Sequence, residues 1–80
     1  MKKYPIQINN IEDITKFVRT VTKYNYDVDL CKGNVVIDAK SILGIMTICP
    51  NPELEMIIYS NEHDDILESL SDFLREEKTA

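Results

Sequence analysis

Few side chains in this sequence are of a type that performs covalent chemistry, and their spacing narrows them further. His63 is the only histidine, and an imidazole at a helix opening can accept a phosphoryl group because backbone N–H donors and the helix dipole favour an anion there. Its sequence neighbours, however, are Glu62, Asp64 and Asp65, whose charges oppose a dianion. Ser41 stands where a short helix should begin. Its first expected role is to cap that helix. Ser41, Ser60, Ser69 and Ser71 have no His–Asp relay, and Cys31 and Cys49 have no Cys–His constellation, so nucleophilic catalysis is not expected. Gly33 and Gly44 form no phosphate-cradling loop. The pairs Glu12–Asp13 and Asp64–Asp65 are adjacent, not three or four residues apart, and read as solvated charge. No metal-ligand set and no cofactor are expected.

The elements that would position these residues follow from periodicity. Tyr4, Ile6 and Ile8 alternate as a strand, with Pro5 tolerable at an edge. Asn10, followed three residues later by Asp13, can cap a helix whose stripe is Ile11, Ile14, Val18 and Val21, widened by Phe17. Tyr26, Val28 and Leu30 alternate with Asp27, Asp29 and Cys31; Lys32-Gly33-Asn34 supplies a reversal into Val35-Val36-Ile37, so 26–37 reads as a hairpin. Ile42-Leu43-Gly44-Ile45-Met46 suits one or two helical turns, in which Gly44 either permits close packing or marks a bend. Asn51-Pro52 reads as a turn before a strand on Leu54, Met56 and Ile58. A terminal helix capped by Ser60 or Asn61 then carries Ile66, Leu67, Leu70, Phe73 and Leu74, and residues 76–80 are expected to fray. Strand, helix, strand, strand, helix, strand, helix amounts to an α/β (α+β) open-faced sandwich: four strands with three helices on one face.

Composition bounds the rest. Eighty residues form one domain, 1–80, with a small core. Nine basic against fourteen acidic side chains give a net charge of −5, the wrong sign for nucleic acid or an anionic membrane. The imbalance is local. Residues 1–60 carry seven basic and seven acidic side chains, and residues 61–80 carry two and seven, so the terminal helix should present the acid to water. Two cysteines without CxxC spacing, and no apolar run of membrane or signal type, point to a cytoplasmic setting.

The stretch Lys40-Ser41-Ile42-Leu43-Gly44-Ile45-Met46, set between a hairpin and a strand with an acidic helix after it, resembles the HPr phosphocarrier family. The strongest stretch runs from Lys23 to Met46. The resemblance implies a β-α-β-β-α-β-α sandwich with an antiparallel sheet, and a protein that receives a phosphoryl group in a sugar phosphotransferase system and passes it on. The family's phosphorylated histidine opens the first helix. Ungapped continuation back from Lys23 puts Asn10 at that position, Glu12 where the family has Arg and Asp13 where it has Pro, which makes this region a degenerate phosphohistidine site. The same resemblance marks Ser41 as a site of regulatory phosphorylation, where a phosphate would add about −1.5 to −2 charge with Lys40 beside it as a charge partner. The expected function is therefore a non-enzymatic regulatory or interaction domain whose partner is a phosphotransferase-system or regulatory protein. Its contact surface would be Ile11, Lys40, Ser41, Ile42, Leu43 and Met46, if the core does not consume the apolar ones. The alternative is a divergent phosphocarrier in which His63 replaces the usual acceptor, and assembly as a structural subunit through the same surface is a third possibility.

Overall fold

A computed structural model of the chain describes residues 3–75. The elements are β1 (Lys3–Ile8), α1 (Ile11–Val21), β2 (Asp27–Lys32), β3 (Val35–Asp38), α2 (Ile42–Met46), β4 (Asn51–Tyr59) and α3 (Asp64–Ser69). The strands form one sheet in the order β1-β4-β2-β3, every neighbouring pair antiparallel. Tyr4 and Leu30 both pair with Met56, and Leu30 also pairs with Ile37. Opposed residues share a face, so this register lines one face with apolar side chains. The helices cover that face. Ile6, Ile8, Val28, Leu30, Leu54, Met56 and Ile58 of the sheet close on Ile14, Phe17, Val18, Val21, Ile45, Ile66 and Leu70, each large side chain contributing about 1.5–3 kcal/mol of burial. Phe17 and Phe73 meet edge to face at 5.5 Å between ring centres. No helix among the described residues is long and apolar enough to cross a membrane.

The two expected caps on α1 and α2 form. Asn10 Oδ1 accepts the Asp13 backbone N–H at 2.8 Å, and the Asp13 carboxylate accepts the Asn9 N–H at 3.2 Å. Ser41 Oγ accepts the Gly44 N–H at 3.1 Å. Gly44 serves close packing: a Cβ at that position would lie 2.6 Å from Ile37 Cγ2. The hairpin turns at Gly33, whose φ of 59° is left-handed.

Four details depart from the sequence expectation. Ile11 leaves the core stripe, 67% exposed, because it is the first residue after the cap. Asn51 and Pro52 already belong to β4, pairing with the end of β1 at Ile8, so the reversal occupies residues 47–50 instead. The start of α3 is His63 with no side-chain cap, while Ser60 Oγ bonds Glu62 in the preceding turn. Finally, α3 stops at Ser69 rather than running to Leu74. Residues 70–74 continue as turns in which Phe73 N–H reaches Leu70 C=O and Leu74 N–H reaches Ser71 C=O, a three-residue step that still keeps Leu70 and Phe73 inside. The chain then lies against the outer edge of β1: Gln7 N–H donates to Phe73 C=O, Arg75 N–H donates to Pro5 C=O, and Ile6 pairs with Leu74. The expected fraying of residues 76–80 lies outside the described residues.

Candidate functional site

The opening of α1 is the first place to look for anion chemistry, since free N–H groups collect at a helix start. Here Asn10 fills that role with its own side chain, because its Oδ1 already takes the Asp13 N–H. Asn10, Ile11 and Glu12, with Asn9 and Pro50, line an open depression. Asn10, Glu12 and Asp13 are thus brought together as expected, but the groups turned to solvent are an amide, an apolar side chain and a carboxylate. None is a nucleophile and none is cationic.

His63 is placed elsewhere and held on both ring nitrogens. Nδ1 lies 2.7 Å from the Ser60 carbonyl oxygen and Nε2 lies 2.6 Å from the Tyr4 hydroxyl. A carbonyl oxygen only accepts, so Nδ1 carries a proton, and the nitrogen left to bear a lone pair, Nε2, faces the Tyr4 hydroxyl. The Tyr4 and His63 rings also meet edge to face at 5.6 Å. The one lone pair with which this imidazole could attack phosphorus is therefore the one that Tyr4 occupies. Tyr4 carried no signal in the sequence, because 59 residues separate it from His63.

Ser41 is half-buried and its hydroxyl oxygen is engaged with Gly44 N–H. Lys40, offered by sequence as its charge partner, instead donates from Nζ to the Tyr24 carbonyl at 2.8 Å. Asp38 shapes this opening: its carboxylate takes the Lys40 N–H and its carbonyl takes the Ser41 N–H. The apolar candidates stay outside the core. Ile42, Leu43 and Met46 on α2 are exposed, Leu43 at 80%, and α2 packs against α1, whose first residue, Ile11, is also exposed. The core has consumed only Ile45 of α2.

Other chemistry finds no support in the geometry. Burial pushes the Cys31 thiol up, against a smaller opposing effect of Lys3, and burial likewise pushes Cys49 up; both are protonated, poorly nucleophilic thiols at neutral pH. Among the described residues no group of three or more His, Cys, Asp or Glu is placed to hold a metal ion. No buried side-chain nitrogen or oxygen among them lacks a partner either. Sequence reasoning missed one further constellation. Tyr24 and Tyr26 stack at 5.9 Å, and their hydroxyls reach Ser69 and the Asp65 carboxylate, which ties the approach to β2 to α3.

Comparison with known proteins converges on one family. The family model described as the PTS HPr component phosphorylation site matches residues 12–76. Among solved structures, HPr-C-His of Thermoanaerobacter tengcongensis superimposes with a TM-score of 0.74 at 25% identity, over 90% of this chain and 89% of that one. The phosphocarrier protein HPr of Bacillus anthracis str. Ames matches with a TM-score of 0.71 at 20% identity, over 92% of this chain and 94% of its own. A histidine-containing phosphocarrier protein from mycoplasma matches with a TM-score of 0.69 at 13% identity, over 89% of each chain. The last two likenesses concern the fold.

Proposed function

The chain belongs to the HPr phosphocarrier family of the phosphotransferase system, and from that premise we propose that it is an interaction or regulatory member that carries no phosphohistidine at the opening of α1. The observation that carries this reading is Asn10. An amide cannot form a phosphohistidine, and this one spends its acceptor oxygen on the Asp13 N–H that a phosphate would otherwise meet. Glu12 beside it adds negative charge where the resemblance has an arginine, and a dianionic phosphoryl group is repelled there. The family scaffold surrounds this position, and Ile11, Ile42, Leu43 and Met46 stand exposed as an apolar surface. Exposed apolar side chains on adjoining helices are the usual composition of a protein contact. The partner proposed is a phosphotransferase-system or regulatory protein, and the setting proposed is cytoplasmic. Ser41, carried over from the resemblance, is the proposed site at which a kinase would modify that surface.

The names of the matched relatives favour a second reading, a phosphocarrier, for which His63 is the histidine the chain offers. That reading requires Nε2 to give up the Tyr4 hydroxyl and to hold a phosphoryl group next to Glu62, Asp64 and Asp65. Incubation with phosphoenolpyruvate and an upstream phosphoryl donor that demonstrably loads a competent HPr separates the two. The first reading expects no acid-labile phosphate on this chain; label that is lost in His63→Gln supports the second. The surface is tested by binding: Leu43→Asp, at a site too exposed to affect folding by more than about 0.5 kcal/mol, abolishes capture of the phosphotransferase-system partner if the surface is the contact.

A further inference from the structure

The two edges of the sheet are treated differently by this sequence. At β1 the edge is blocked by Pro5, by a shift in register between Ile6 and Ile8, and by the covering chain at Phe73–Arg75. At β3 the edge residues are Val35-Val36-Ile37-Asp38, with no proline, lysine or bulge, and Val35 and Val36 are exposed. Unprotected edges of β-branched residues pair with other strands.

We propose that β3 is a self-pairing edge, which joins two copies of this chain antiparallel about Val36 into a continuous eight-stranded sheet. The backbone of β3 dictates that register. Lys32 and Val35 flank a two-residue turn, and such hairpins close on a mutually hydrogen-bonded pair, so Val35 and Ile37 turn their amides towards β2. The Ala39 N–H confirms the alternation, reaching back to the Val28 carbonyl at 2.8 Å. Val36 N–H, Val36 C=O and Asp38 N–H therefore point out of the sheet, while Asp38 C=O is already taken by Ser41 N–H.

A second β3 placed with Val36 opposite Val36 uses all three groups. The two valines exchange their N–H and C=O bonds, and each Asp38 N–H meets the Asn34 carbonyl of the other copy. Side chains match as well. Val35 falls opposite Ile37 on the helix side, and the Asn34 amide falls opposite the Asp38 carboxylate on the open side, without like charges in contact. Registers shifted by one residue would turn the apolar face of one copy against the polar face of the other. The two-fold axis stands perpendicular to the sheet, so both copies present their helices on the same side. The paired segment, residues 34–38, is only five residues long, which makes the association weak and concentration-dependent.

Sedimentation of the full chain from micromolar to millimolar concentration tests this. The expected result is a mass rising from 9.3 kDa towards twice that value, and a Val36→Lys variant that stays monomeric throughout because it sets two ammonium groups against each other. Amide exchange gives an independent readout. The Val36 and Asp38 amides should become at least tenfold slower on concentration, while the Ile37 amide is protected at every concentration. A constant monomer mass at millimolar concentration overturns the proposal, as does a dimer that Val36→Lys leaves intact. If that variant does not fold, Val36 and Asp38 exchange rates that ignore concentration overturn it instead.

Discussion

The Tyr4 hydroxyl lies 2.6 Å from His63 Nε2 and thereby joins the first strand to the opening of the last helix. The pair closes a half-buried contact in which each polar atom has a partner, since Nδ1 is held by the Ser60 carbonyl. It also engages both ring nitrogens of the one imidazole in the chain.

Tyr4→Phe should therefore lower stability by about 1 kcal/mol, the net worth of a hydrogen bond whose partner is left unsatisfied. Urea unfolding measures it. Nitrogen NMR of His63 should show the Nδ1–H tautomer in the wild type.

Installing a histidine at the opening of α1 tests the proposed function. Asn10→His alone should gain little acid-labile phosphate from a phosphotransferase donor, because the Glu12 carboxylate remains beside it and the Asn10 cap, worth about 1 kcal/mol, is lost. Asn10→His with Glu12→Arg should gain markedly more, as a guanidinium replaces the repelling charge. Equal labelling of the two variants would show that Glu12 is not what disfavours phosphate there.

Gly44→Ala should destabilise the fold by about 1–3 kcal/mol through overpacking against Ile37, although alanine is the better helix former by about 1 kcal/mol. Ile37→Ala removes the methyl that collides, so in thermal unfolding the cost of Gly44→Ala should shrink sharply in that background.

Tyr59 donates its hydroxyl to Asp29 at 2.9 Å, and that hydrogen bond, then desolvation and then the Asp29 charge, raise its phenol above the ordinary value of 10.0. A raised value means the folded state keeps the proton longer than the unfolded one. The contribution is thus fully present below pH 10.0 and is lost as pH rises through the folded value. Site-resolved NMR of the Tyr59 ring should show titration above 10.0 in the wild type and a return towards it in Asp29→Asn.

Much of this was legible in the residues. Asn10 and Ser41 are side chains that bond nearby backbone, and both cap as their positions require. The stripe Ile14, Phe17, Val18, Val21 and the alternation in β2 and β4 specify their elements because a buried face fixes the phase of a helix or strand. The end of α3 was not legible. Ile66, Leu70 and Phe73 fit helical spacing, yet a turn of three residues keeps nearly the same face, and the competing hydrogen bonds come from β1, some seventy residues earlier. Gly44 was ambiguous for the same reason: the methyl that demands its lack of a Cβ belongs to another element.

What the sequence determined by itself was local and chemical: the order of elements, two caps, the concentration of acid in residues 61–80, and the presence of an amide at the opening of α1. Those properties reside in residue types and short spacings. The tertiary structure decided which groups are still available. It gave His63 to Tyr4 and Ser60, Lys40 to Tyr24, and the outer edge of β1 to Phe73 and Arg75, while leaving Leu43 and the edge of β3 facing water. A hydrogen bond or a packing contact depends on what the fold brings within about 3–4 Å, and partners far apart in sequence leave no periodic trace of each other.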